Sequence, residues 1–225
     1  MTAIDAILMA AGLVAGAGID AGAARYARRA ASEPPSSGAG DPGWGSRSAS
    51  GLAGAGIAAA AAFLVPGEMM LFTTAFGWLL LALANIDFRT MLLPDGLNAA
   101  LLALGAAMVW LMRPEGWLMH ISGAALGFAV LWTVEAGYRR LRGREGLGRG
   151  DAKLLGAIGI WVGATGLPLV LLIASLSGIV AALVQSWRSG PALSAQTAIA
   201  FGPWIALGGF AAWILQFAAP VLYGA

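Results

Sequence analysis

Eleven acidic side chains punctuate this 225-residue chain, and three of them stand where ordinary solvation does not account for them. Asp87 closes an uninterrupted apolar run that ends Ala84-Asn85-Ile86, and Asp151 opens an apolar run after the basic, glycine-rich stretch Tyr138–Gly150. Asp95 follows Pro94. A charged side chain at a helix centre in hydrocarbon costs about 2.5–3.5 kcal/mol on insertion scales, so each acid beside such a run asks for a reason. Two carboxylates at one depth on different helices can converge across a bundle. A close pair does not easily ionise together, so one keeps its proton and the two can act as acid and base on a water molecule. That is the chemistry of an aspartic protease, and it uses neither a metal nor a nucleophilic side chain. For Asp95 the better reading is a helix cap, because Asp at an N-cap accepts backbone N–H groups. A simple Asp87–Arg89 ion pair is disfavoured, since residues two apart on a helix do not face each other.

The other acids have plainer readings. Glu33, Asp41 and Glu145 fall in loops, and Asp5, Glu68 and Glu115 in outer tails or turns. Asp20 and Glu135 lie near span ends, where interfacial placement is expected.

The elements that must carry these acids are membrane spans. The chain is 59% hydrophobic and 11% charged, against about 25% charged residues in soluble domains. With about 20 apolar residues needed to cross a bilayer, the sequence predicts an all-α transmembrane bundle of about eight spans. They are Ala6–Ala24, Ala49–Val65, Met69–Ile86, Leu97–Met112, Trp117–Val134, Lys153–Thr165, Leu167–Trp187 and Ala198–Phe217, the sixth being short. With the N-terminus outside, twelve of the thirteen Lys and Arg residues fall on the cytoplasmic side and only Arg113 outside. That is the asymmetry of the positive-inside rule, and it puts Asp87 and Asp151 on one face, the cytoplasmic one. Ser32–Ser50, rich in Pro, Gly and Ser, is expected to be a flexible linker, which divides the chain into residues 1–50 and a membrane core of 51–225. Gly12-x-x-x-Gly16 and Gly123-x-x-x-Gly127 suit close helix packing.

Cysteine is absent and His120 stands alone, which removes disulfides and the usual Cys or His metal sites. No metal, cofactor or nucleic-acid partner is expected. From the residues alone three functions remain open: a protease, a transporter or channel using Asp87 and Asp151 as ion or proton sites, and a structural membrane component.

Three segments resemble one family. Arg144–Lys153 (REGLGRGDAK), Ile86–Asn98 (IDFRTMLLPDGLN) and Ala200–Gly208 (AFGPWIALG) look like the two aspartate motifs and the Phe-Gly-Pro segment of bacterial type IV prepilin peptidases, membrane aspartic proteases with a Gly-x-Gly-Asp motif. They occur in the family's order and span roughly Ile86 to Phe210. The resemblance implies that Asp87 and Asp151 form the catalytic pair, with Gly148, Gly150 and Lys153 shaping the site. It implies a substrate, a prepilin or pseudopilin, that is cut between a short basic leader and a hydrophobic helix at the cytoplasmic face of the inner membrane. The chain departs from the family in lacking the paired cysteines of a zinc-holding insertion, which trims the expectation to cleavage without N-methylation.

Overall fold

The structure, a computed structural model, describes residues 3–30, 47–143, 148–189 and 200–219. Among them the chain forms seven α-helices and no strand: α1 (Ala3–Ala30), α2 (Arg47–Leu64), α3 (Gly67–Thr90), α4 (Asp95–Met112), α5 (Trp117–Arg142), α6 (Arg149–Ser189) and α7 (Gly202–Ala218). Five are long and apolar enough to cross a membrane, and α2 and α7 add two shorter apolar helices. The expected all-α bundle of a multi-pass membrane protein is what the chain builds.

Local chemistry sets the helix ends. α3 stops where Met91 turns left-handed (φ 52°, ψ 28°), three residues before Pro94, whose ring disfavours helical geometry just upstream. α5 stops at Gly143 with φ 67°, a conformation that costs glycine little. Tyr138–Arg142 are therefore helical rather than loop. Arg47–Ser50, assigned above to the linker, form the first turn of α2; the rest of that linker and residues 144–147 lie outside the described residues.

The main departure concerns α6. Its 41 residues would measure about 60 Å at 1.5 Å per residue, about twice the hydrocarbon thickness. Gly163, at φ 70° and ψ 175°, breaks it in a region of backbone space essentially restricted to glycine. Contacts with α7 give the direction of each arm. Val162 and Gly166 lie against Gln216 near the end of α7, whereas a Cβ on Gly178 would come within 3.4 Å of Trp204 at its start. The second arm thus runs antiparallel to α7, and the sixth and seventh expected spans are the two arms of a hairpin turning at Gly163. Breaking the ladder frees carbonyls of the last turn. His120 Nδ1–H donates to the Ile160 carbonyl (2.7 Å), and Gln216 Nε2 donates to that of Val162 (2.9 Å).

A buried aromatic stack ties α3, α6 and α7 together. Phe76 lies flat on Trp161 with centroids 4.3 Å apart, and Trp213 meets Trp161 edge-on at 5.5 Å. The indole N–H groups donate to the Leu101 carbonyl (3.0 Å) and to Thr73 Oγ1 (2.9 Å), which leaves neither donor orphaned in an apolar core. The small-residue patterns do the packing expected of them. A Cβ on Gly16 would sit 2.0 Å from the Ser50 carbonyl oxygen, and one on Gly123 would sit 2.4 Å from that of Gly159, so only glycine permits these backbone approaches.

Candidate active site

Asp87 stands eleven residues after Phe76 on α3, and Asp151 ten residues before Trp161 on the first arm of α6. The two rings stack and the helices run in opposite senses, so at 1.5 Å per residue both acids lie about 15 Å beyond the stack, at one end of the bundle. Asp87 is only 4% exposed and Asp151 6%. Leu93 lies against Gly150 beside Asp151 and against Gly202 beside Asp87, which brings the surroundings of the two acids together.

Each acid is held by glycine-permitted contacts. The Gly202 N–H at the start of α7 donates to Asp87 Oδ2 (3.1 Å), and the dipole of that helix points its positive end at the carboxylate. A Cβ on Gly202 would lie 2.6 Å from the same oxygen. Pro203 in the opening turn of α7 costs no hydrogen bond there and presets the helical backbone. Phe88 meets Trp204 edge-on at 6.0 Å, fastening the neighbours of Asp87 and Gly202 to each other. On α6, the Asp151 N–H donates to the Gly148 carbonyl (3.0 Å), and a Cβ on Gly148 would lie 3.2 Å from Asp151 Oδ2. Leu93 packs between the two acids' supports: a Cβ on Gly150 would come 2.9 Å from Leu93 Cβ, and one on Gly202 3.3 Å from Leu93 Cδ1. Gly148, Gly150 and Gly202 leave no side chain of their own between backbone and carboxylate.

Lys153, two residues past Asp151, faces the opposite side of its helix. It pairs with Asp95 (Nζ–Oδ1 2.6 Å). This corrects the reading of Asp95 as a cap: Pro94 holds the N-cap position, no side chain caps α4, and Asp95 joins α4 to α6 instead. The pair edges a groove of about 400 Å³ among α4, α5 and α6, whose walls include Leu102, Ala124 and Phe128.

Two acids assigned to the interface are buried. Asp20 is 4% exposed and pairs with Arg89, so Arg89 is committed to α1 rather than to Asp87. Glu135 is 2% exposed, its oxygens accept no hydrogen bond, and its ion-pair partner is Arg139 at 3.7 Å. Gly202 was visible beforehand only as part of the Phe-Gly-Pro segment. Nothing local distinguished Leu93, and Asp20 meets a partner 69 residues away.

Comparison with known proteins agrees with the motifs. Residues 74–183 match the model of the type IV leader peptidase family. A prepilin leader peptidase/N-methyltransferase of Escherichia coli (strain K12) is 46% identical over 141 residues, covering 60% of this chain and 60% of the relative. The protein of the same description from Dickeya chrysanthemi is 40% identical over 151 residues, 67% of this chain and 53% of the relative. That of Xanthomonas campestris pv. campestris is 38% identical over 154 residues, 63% of this chain and 51% of the relative. The chain thus spans between half and three-fifths of the length of these relatives. No solved structure matches it.

Proposed function

We propose, from the match of residues 74–183 to the type IV leader peptidase family, that this chain is an aspartic endopeptidase that removes the leaders of type IV prepilins or pseudopilins. The observation that carries the proposal is the convergence of Asp87 and Asp151, from two motifs 64 positions apart in the sequence, on one buried place at one end of the bundle. One carboxylate takes a proton from water as its oxygen attacks the scissile carbonyl. The other, protonated, gives its proton to the leaving amine. Gly202 orients Asp87 for this step, and Gly148 and Gly150 let the backbone at the start of α6 pack directly against the Asp151 carboxylate and Leu93.

The acid end is the cytoplasmic end of an inner-membrane protein on this reading. Its support is charge: the last turns of α1 and α5 carry Arg28, Arg29, Arg139, Arg140 and Arg142, whereas Arg113 lies at the other end. Positive residues accumulate on the cytoplasmic side. A basic leader would stay in the cytoplasm while the hydrophobic helix behind it lies in the bilayer, which brings the bond between them to the depth of the acids. The ion- or proton-carrier alternative finds no support among these relatives.

The test is direct. Purified protein in detergent or liposomes is incubated with a prepilin, and leader removal is followed by mass. Cleavage by the wild type, and none by Asp87→Asn or Asp151→Asn, is the expected result. Full cleavage by either variant would overturn the two-acid mechanism.

A further inference from the structure

One polar cluster at the acid end is not used by this chemistry. Asp20 of α1, Ser50 of α2 and Asn85 of α3 are all at least nine-tenths buried, and they meet at the last turns of α3. Arg89 Nη2 donates to Asp20 Oδ1 in a short charged contact. The Ser50 hydroxyl lies 3.4 Å from both Asp20 Oδ1 and Asn85 Oδ1, and Asn85 Nδ2 donates to the Leu81 carbonyl (3.0 Å). Asn85 and Arg89 are four residues apart and share one face of α3, while Asp87, midway between them, faces the opposite way, toward Gly202. The turn that bears Asp87 is therefore gripped from behind by α1 and α2 and from in front by α7. Both gripping helices, α1 and α2, lie outside residues 74–183.

We infer that Asp20 is a positioning residue for Asp87, acting through Arg89 and the last turn of α3; this rests on the proposed role of Asp87. A short, buried ion pair tolerates little displacement of either partner. Removing Asp20 deletes the short charged contact that ties the end of α3 to α1, and the Arg89 guanidinium then gains hydration by drawing the end of α3 toward the surface. Asp87 sits two residues upstream on that same turn and moves with it. A shift of about 1 Å in a reacting group costs about a hundredfold in rate.

The experiment compares wild type, Asp20→Asn, and the swap Asp20→Arg with Arg89→Asp, in prepilin cleavage and in thermal unfolding in detergent. The expected result for Asp20→Asn is a fall in kcat of between about ten- and a hundredfold per folded molecule, with KM nearly unchanged. The swap is expected to recover most of kcat. A kcat loss that only tracks the folded fraction, or a swap no better than Asp20→Asn, overturns the inference. If Asp20→Asn does not fold, the swap against wild type decides alone. A second readout needs no activity. The chain has no cysteine, so Asp87→Cys introduces one thiol, and its alkylation by a water-soluble maleimide reports the position of residue 87. Adding Asp20→Asn is expected to raise that rate several-fold, and an unchanged rate also overturns the inference. If wild type fails to cleave prepilin, the proposed function falls, whereas the alkylation readout still decides whether Asp20 governs position 87.

Discussion

The two ends of the bundle treat polar groups in opposite ways. At the end away from the acids Arg113, Gln216 and His120 each have a structural partner. Arg113 donates to Gln216 Oε1 (3.3 Å) and lies over the rings of Trp213 and Phe217 at 5.2 and 5.3 Å. Gln216 and His120 cap the carbonyls exposed by the Gly163 turn. At the acid end Asp87 accepts from one backbone N–H, and Asp151 is buried with Gly148 against its carboxylate. The far end spends its polar groups on holding a hairpin shut. Asp87 and Asp151, unlike Asp20 and Asp95, form no salt bridge among the described residues, and a buried acid without a cation can exchange a proton as such a reaction needs.

That contrast is breakable. The largest expected effect is on Asp87→Asn or Asp151→Asn, each of which abolishes prepilin cleavage while circular dichroism and thermal unfolding stay near wild type. Gly202→Ala comes next: its Cβ displaces the Asp87 carboxylate, and kcat is expected to fall about a hundredfold with little change in melting. At the far end the ranking inverts. Gly163→Ala forces an unfavourable backbone and costs about 1–3 kcal/mol, read as a lower melting temperature in detergent, while activity per folded molecule is retained. Gln216→Leu removes a cap worth about 0.6–1.7 kcal/mol by the range measured for interhelical hydrogen bonds in membranes, again without a kcat effect. The smallest is Lys153→Ala: its ion pair with a mostly exposed Asp95 contributes at most about 1 kcal/mol. A stability mutant at the far end that also lost kcat per folded molecule would erase the distinction between the ends.

Much of this was legible beforehand. An acid bordering a long apolar run announces itself by its cost, so Asp87 and Asp151 stood out, and the glycines before Asp151 marked a close approach. Loop charge set the two acids on one face without knowledge of any contact. Long-range pairing was not legible. Asp95 reaches Lys153 across 58 positions and Asp20 reaches Arg89 across 69, and periodicity within a helix is silent about a partner on another helix. Short-range rules therefore favoured a cap for Asp95 and an interfacial place for Asp20. The Gly163 turn was hidden for a different reason. Among 33 glycines none declares its backbone angles, and the break was expected three residues later, between Thr165 and Leu167.

The hydrogen bond from Gly202 to Asp87 also has a meaning in time. Translation delivers Asp87 and Asp151 to the membrane before residue 202 exists, so the growing chain holds both acids with Asp87 still unoriented. Only when α7 inserts and presents its first N–H groups does Asp87 take its final geometry. On the proposed reading, a protease that shares a bilayer with its substrates would stay idle until α7 is in place.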